Sequence, residues 1–411
     1  MSATAYQIFV GIDWGSREHY VVVLNRDGTV VQERRVAHTA EAIDALVEWL
    51  GELADDAVGE RVAVALEVPR GALVEACLER GFHVYALNPK QLDRFRDRYT
   101  VAGAKDDRRD AQVLASALRT DAPAFRRLDP EDDRVVEIRE LSRLDDDLSI
   151  ELRRLSNRLR AQVHRVMPQL LTLCPGADQA WFWTLLARAT TATAAAHLPR
   201  AAVARILRQH RIRRLTPDDV VAALRVAPVP APRGVRRAVE AQLGVLLPRL
   251  RLAAEQQARC AARLEALLEE LDQKQEHRDV AILRSLPGVG RKVSATMLAE
   301  ASRPLAARDY HALRTQAGSA PITKQSGQRR FVMMRQACNG RLRNAVHYWA
   351  QTNVLHDAVS AKLYARLRAR GCSHGRALRG VADRLLALLV AMLRTQTLYD
   401  PSRRQNLRPA A

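Results

Sequence analysis

Apolar residues along this chain change their period near residue 130, from short strand-like blocks to long helical stripes. Ile8–Ile12, Tyr20–Leu24 and Val30–Val36 are blocks rich in Val and Ile, the side chains that suit a pleated, half-buried surface. Asn25-Arg26-Asp27-Gly28, between the second and third blocks, is a hairpin-turn signal because its residues tolerate positive φ. Ile43, Leu46, Val47 and Leu50 then recur at helical spacing. Val62–Leu66 and Phe82–Leu87 predict a fourth and a fifth strand, with helices over Gly71–Arg80 and from Asp107 to Leu118. The order βββαβαβα predicts a mixed sheet with flanking helices, an α/β domain over residues 1–125.

Beyond it the chain reads as all-α. Leu141, Leu144, Leu148, Leu152, Leu155, Leu159, Val163 and Val166 repeat nearly in step with a straight helix and predict one long apolar stripe. Arg249–Asp272 predicts a second long helix, and the two fit an antiparallel coiled-coil arm within a helical domain over 126–275. Between them, Thr216-Pro217-Asp218-Asp219 caps a shorter helix. Trp181 and Trp183 read either as core or as a base-stacking surface. A C-terminal helical domain over 276–400 opens with the turn Leu286-Pro287-Gly288-Val289-Gly290, and residues 401–411 form a tail.

Charge changes the picture. The 411 residues carry 65 Lys and Arg against 46 Asp and Glu, a net charge of +19, and the cations are mostly Arg. The guanidinium fork matches phosphate geometry and stays charged, so nucleic acid is the expected partner. The five cysteines are scattered without metal-ligand spacing and read as reduced thiols of a cytoplasmic protein. No signal peptide and no membrane-spanning run is expected.

Four acids stand out against that basic background. Asp13 and Glu67 end strand-like runs, and Asp107 and Asp110 share a helix face. Like charges one turn apart repel unless a cation lies between them. Mg²⁺, for which Mn²⁺ can substitute, takes hard oxygen ligands and serves in-line displacement at phosphorus. Spacing alone leaves Asp93 and Asp106 as competitors, and a solvated helix N-terminus is the plain alternative for residues 105–110.

Gly11-Ile12-Asp13-Trp14, Leu66-Glu67 and Lys105-Asp106-Asp107-Arg108-Arg109-Asp110-Ala111 together resemble the DEDD domain of transposases of insertion-sequence family 110. That family's helix motif reads Lys-Thr-Asp-x-x-Asp-Ala, so Asp106 stands where Thr is usual. Further on, Leu286–Gly290, Ala317-Gly318-Ser319-Ala320-Pro321-Ile322-Thr323-Lys324-Gln325-Ser326-Gly327 and Asn339-Gly340-Arg341-Leu342-Arg343-Asn344-Ala345 resemble the family's second domain, with Cys338 in place of its Gly.

The resemblance implies an RNase-H-like, RuvC-type fold with Asp13, Glu67, Asp107 and Asp110 as metal ligands and catalytic groups, and with Ser326 as nucleophile. It also implies donor and target DNA, a structured bridge RNA as guide, and dimers that assemble into tetramers. Lys105, Arg291, Lys292, Lys324, Arg329, Arg330, Arg335, Arg341 and Arg343 are candidate backbone contacts. Gly288 and Gly290 read either as a phosphate-binding helix start or as a packing turn. A junction nuclease that uses water and a non-enzymatic RNA-binding scaffold remain alternatives. Asp13-Trp14-Gly15-Ser16 also resembles the first phosphate loop of actin-like ATPases, whose further motifs are not found downstream.

Overall fold

A computed structural model describes residues 6–55, 59–98, 106–128, 132–274, 278–327 and 329–402. The chain divides into two compact units, Met1–Glu131 and Asp132–Ala411. The first is mixed α/β around a central sheet and the second is mostly helical.

The N-terminal unit runs β1 (Ile8–Asp13), β2 (Glu18–Asn25), β3 (Val30–Ala37), α1 (Ala40–Leu53), β4 (Val62–Leu66), α2 (Ala72–Glu79), β5 (His83–Ala86), α3 (Pro89–Arg96), α4 (Asp107–Asp121) and β6 (Arg126–Leu128). The sheet order is β3-β2-β1-β4-β5-β6. Strands β1, β4 and β5 are parallel, β2 and β6 run against them, and β3, antiparallel to β2, runs in the direction of β1. Side-chain alternation divides the core into two layers. Ile8, Val10, Ile12, Val62 and Val64 face α1 and α2, whereas Phe9, Ala63 and Ala65 face α4.

One contact fixes this second layer. A Cβ built on Gly11 would lie 1.9 Å from the carbonyl oxygen of Ala111 and 2.6 Å from the amide nitrogen of Ala115. The backbone of α4 therefore crosses β1 at glycine distance, and Ala111 and Ala115 are fully buried there. Only a residue without a side chain permits that approach.

The sequence reading misses α3 and β6. Helix α3 is highly charged and buries only Leu92, so it has no apolar period. Its Asn88–Gln91 capping box and Pro89 hold it instead. Strand β6 is three residues of an edge strand, Arg126-Arg127-Leu128, too short to show alternation.

The second unit comprises α5 (Asp133–Val166), α6 (Ala180–Arg188), α7 (Ala192–Ala196), α8 (Arg200–Gln209), α9 (Pro217–Arg225), α10 (Arg233–Lys274), α11 (Asp279–Ser285), α12 (Arg291–Glu300), α13 (Ser302–Ala306), α14 (Tyr310–Gln316), the hairpin β7 (Ile322–Ser326) and β8 (Arg329–Met333), α15 (Gly340–His356), α16 (Ala358–Ala369) and α17 (His374–Thr395). Helices α5 and α10 lie antiparallel: Arg263 pairs with Glu137, and Arg249 with Glu151. Helix α10 starts sixteen residues before Arg249 and carries Pro248 inside it. Leu246, Leu247 and Leu250 are buried on either side of that proline.

Separate middle and C-terminal domains are a finer division than these two units. Ile138 and Leu148 of α5 join the core of the C-terminal helices, while Leu155, Leu159 and Val163 of the same helix join the core of α6, α8 and α9. One continuous helix thus serves both cores. Its apolar stripe also departs from expectation. Leu144 is 47% exposed, and Ile138, Ser142 and Asp145 turn inward instead. Asp145 is tolerated there because Lys292 Nζ stands 3.3 Å from its carboxylate.

Replacing Gly11 with Ala forces α4 off the sheet, and we expect a loss of about 3 kcal/mol in urea unfolding monitored on the N-terminal unit. An unchanged midpoint would show that the helix does not cross β1 this closely.

Candidate active site

Four carboxylates come from three elements of the N-terminal unit. Ile12 pairs with Leu66 in parallel register, so Asp13 and Glu67 are the next residues outward on neighbouring strands. Alternation gives Asp13 the same face as Phe9 and Gly11, and Glu67 the same face as Ala63 and Ala65, which is the α4 face. Helix α4 begins at Asp107, and Asp110 one turn later is 2% exposed. Asp13 and Asp107 line one cavity of about 60 Å³ with Trp14, His19 and Arg35. Glu67 and Asp110 are not among its lining residues.

The competing acids have other partners. Asp106 is the N-cap of α4, its side chain accepting from the Arg109 amide at 2.9 Å. Asp93 accepts from Arg96 Nη1 at 2.7 Å, and Arg96 Nε donates to Asp110 Oδ1 at 2.7 Å. Burial opposes the charge on Arg96, but Asp110 and Asp93 outweigh it and hold its pKa above the ordinary value. Sequence reasoning missed Arg96, although its place three residues after Asp93 is an ion-pair spacing.

Among the described residues, no three His, Cys, Asp or Glu side chains are drawn together as a group able to hold a metal. Asp13 and Asp107 on one cavity are hard oxygen donors of the kind a divalent cation takes, and such a cation can be held by one or two carboxylates plus substrate phosphates.

His19, on β2, is fully buried. Its Nδ1 accepts from the Gly15 amide at 3.3 Å, and its Nε2 lies 2.9 Å from His38 Nδ1. An accepting Nδ1 makes His19 neutral, with its proton on Nε2 facing His38. Burial lowers its pKa, and the neighbouring His38 lowers it further. Nothing in the sequence pattern signals this pair.

In the second unit, Ser326 is exposed at the end of β7, directly across from Arg329. Alternation puts Lys324 and Phe331 on the same hairpin face, and Gln325 and Arg330 on the other. Gly327 follows at φ 56°, the left-handed region that suits a tight turn. Several of the other candidate cations are held internally. Lys292 lies 2.8 Å from Asp146, Arg341 pairs with Asp146 and Asp147, and Arg343 donates to the carbonyls of Arg335 and Gln336. Burial works against the Lys292 charge, but Asp146 and Asp145 raise its pKa above the ordinary value. Arg291 and Arg335 each bury an Nε with no hydrogen-bond partner. Lys105 lies outside the described residues.

Gly288 and the tryptophans resolve toward packing, whereas a Cβ on Gly290, at the start of α12, would meet nothing within 4 Å. Gly288, at φ +77°, abuts Thr352 and Asn353 of α15, and the Pro287 carbonyl accepts from Trp349 and Asn353. Asn339 caps α15 and donates to Glu300 at 2.6 Å. Cys338 abuts Gly318, since a Cβ there would meet its sulfur at 2.9 Å. Trp181 and Trp183 are buried in the core, so the base-stacking reading is set aside.

A family model described as a transposase, DEDD_Tnp_IS110, matches residues 10–168. A second, described as a transposase of the IS116/IS110/IS902 family, matches residues 280–365. A Streptomyces coelicolor protein named "Mini-circle putative transposase for IS117" is 31% identical over 410 residues, covering 96% of each chain. The IS110 insertion element's uncharacterized 43.6 kDa protein, also from Streptomyces coelicolor, is 31% identical over 406 residues, 96% of this chain and 95% of that one. A Sinorhizobium fredii protein named "Putative transposase y4uE" is 45% identical over 229 residues, 56% of this chain and 63% of that one. The chain is a DNA transposase. It belongs to the IS110/IS116/IS902 family, with that family's acidic domain first and its second domain toward the C-terminus.

The neutral state of His19 sets a pH dependence. Its folded pKa lies below the ordinary 6.5, so its contribution to stability is full above about pH 6.5 and falls away as pH drops through the folded value. Thermal midpoints measured from pH 8 down to about pH 5 should fall less steeply for His19→Asn than for the wild type. Parallel curves would mean that His19 is not held neutral.

Proposed function

We propose that the chain cleaves and rejoins DNA strands, with Asp13, Glu67, Asp107 and Asp110 serving as a divalent-metal site on an RNase-H-like, RuvC-type domain and Ser326 as the nucleophile. The observation that carries this reading is the glycine-distance crossing of α4 over β1, which brings the helix N-terminus to the strand ends so that Asp13 and Asp107 share one cavity. Mg²⁺, or Mn²⁺ in its place, would neutralise charge developing on the transferring phosphate. Asp106 belongs to the helix cap rather than to the ligand set.

Ser326 Oγ attacks phosphorus and loses its proton as the DNA oxygen leaves and takes one up. The ester left on Ser326 preserves the phosphodiester energy, so reversal of the step rejoins strands without ATP. Arg329 and Lys324 share the Ser326 face of the hairpin and supply charge for the phosphate oxygens. The partners of this reading are donor and target DNA, a structured guide RNA and further copies of the chain, in the cytoplasm. The net charge of +19 supports the nucleic-acid part. Among the described residues no helix is long and apolar enough to cross a membrane.

Incubation with branched junction DNA and Mg²⁺, resolved on denaturing gels, tests this. A protein-linked strand is expected from the wild type and absent from Ser326→Ala. Glu67→Gln and Asp107→Asn should lower its rate by roughly 100-fold or more. Asp106→Ala should retain activity while losing about 1 kcal/mol of stability with its cap. Cleavage without a linked strand would favour a nuclease that uses water, and a persistent adduct in Ser326→Ala would remove the serine from the mechanism.

A further inference from the structure

Among the four acids, Asp110 is the buried one, and it has a dedicated cation. At 2% exposure its carboxylate is short of water, so its charge needs a fixed partner. Arg96 supplies it through a single bond, Nε to Oδ1 at 2.7 Å, and not through a two-pronged grip on both oxygens. The other edge of the guanidinium is used elsewhere: Nη1 donates to Asp93 Oδ1 at 2.7 Å. Asp93 is solvent-exposed and sits one turn earlier on α3, so Arg96 is braced from its own helix. The result is a chain, Asp93–Arg96–Asp110, that ties α3 to the first turn of α4. A one-point contact fixes the rotation of a carboxylate while leaving its second oxygen available. A two-point contact would occupy both.

We propose that Arg96 is a positioning residue for the metal site: it clamps Asp110 Oδ1 so that Oδ2 is presented as a ligand oxygen, and Asp93 holds Arg96 in that pose. The inference rests on the reading of Asp110 as a metal ligand. Carboxylates that bind metals are themselves oriented by hydrogen-bonded neighbours, whose loss typically weakens metal binding about 10–100-fold. Arg96 touches neither DNA nor metal in this role. Its effect is exerted through Asp110.

The test is Mn²⁺ binding to the full-length protein without DNA, followed by electron paramagnetic resonance, together with DNA affinity measured without metal. Arg96→Gln should weaken Mn²⁺ binding about 10–100-fold and leave metal-free DNA affinity unchanged. Since Arg96→Gln strands a buried carboxylate and so risks misfolding, Asp93→Asn is the second variant. It alters only an exposed acid, and we expect it to weaken Mn²⁺ binding several-fold with an unchanged thermal midpoint. Arg96→Lys should recover part of the loss, because an ammonium keeps the positive charge but lacks the rigid planar fork whose separate nitrogens reach Asp110 and Asp93.

Mn²⁺ binding that is unchanged or tighter in folded Arg96→Gln or in Asp93→Asn overturns the proposal. Unchanged Mn²⁺ binding with a loss of DNA affinity also overturns it, by making Arg96 a phosphate contact. Asp13→Asn separates this inference from the reading beneath it. If the wild type and Asp13→Asn bind Mn²⁺ alike, the metal-site reading itself fails. If Asp13→Asn loses binding while Arg96→Gln keeps it, only the role of Arg96 fails.

Discussion

The N-terminal unit depends on one steric concession, the missing side chain at Gly11. The backbone of α4 crosses β1 where a Cβ would collide with the Ala111 carbonyl, and small residues on the helix, Ala111 and Ala115, complete the fit. This crossing brings the first turn of α4, with Asp107 and Asp110, to the carboxyl ends of β1 and β4. Parallel register does the rest, because Asp13 and Glu67 follow the paired residues Ile12 and Leu66. Acids from three separate stretches of the sequence, at residues 13, 67 and 107–110, are thereby held on one face by sheet geometry and a single close helix contact. The burial of Asp110, and its need for Arg96, follow from the same approach.

The second unit uses its charge differently from what the net value suggests. Much of the arginine and lysine of the C-terminal helices is held within the fold. Lys292 and Arg341 share the acidic run Asp145-Asp146-Asp147 on α5, Arg314 grips Asp383, and Arg308 grips Asp279. These pairs cross-link helices that are distant in sequence around a core that α5 shares with the C-terminal helices. The hairpin of β7 and β8 is the contrast. Its residues are exposed on both strands, including Phe331, Val332 and Met333. A two-stranded ribbon has little stability of its own, so its cations and its serine sit on an element suited to be ordered by what it binds.

Much of the first unit was legible because its signals are local. Val and Ile blocks define β1, β4 and β5, the turn Asn25–Gly28 defines the hairpin of β2 and β3, and the paired Asp107 and Asp110 mark the start of α4. Elements held by capping or by edge pairing, such as α3 and β6, left no apolar period to read. The stripe of α5 misled at Leu144 because Ser142 and Asp145 are buried by a polar network that forms only in three dimensions. The same holds for the candidate site: strand ends and helix spacing pointed to Asp13, Glu67, Asp107 and Asp110 as candidates, whereas the contacts of Arg96 with Asp110 and of His19 with His38 form only in three dimensions. Cation-rich motif stretches read as DNA contacts because composition cannot tell a free arginine from one already paired.

Localised backbone cleavage tests the convergence of the four acids most directly. The full-length protein is loaded with Fe²⁺ in place of Mg²⁺, and peroxide and ascorbate then generate short-lived radicals at the bound ion. Cuts should cluster after β1 near Asp13–Gly15, after β4 at Glu67 and in the first turn of α4 at Asp107–Asp110, and excess Mg²⁺ should suppress them. Cuts confined to one of these segments, or scattered elsewhere and insensitive to Mg²⁺, would contradict a shared metal site.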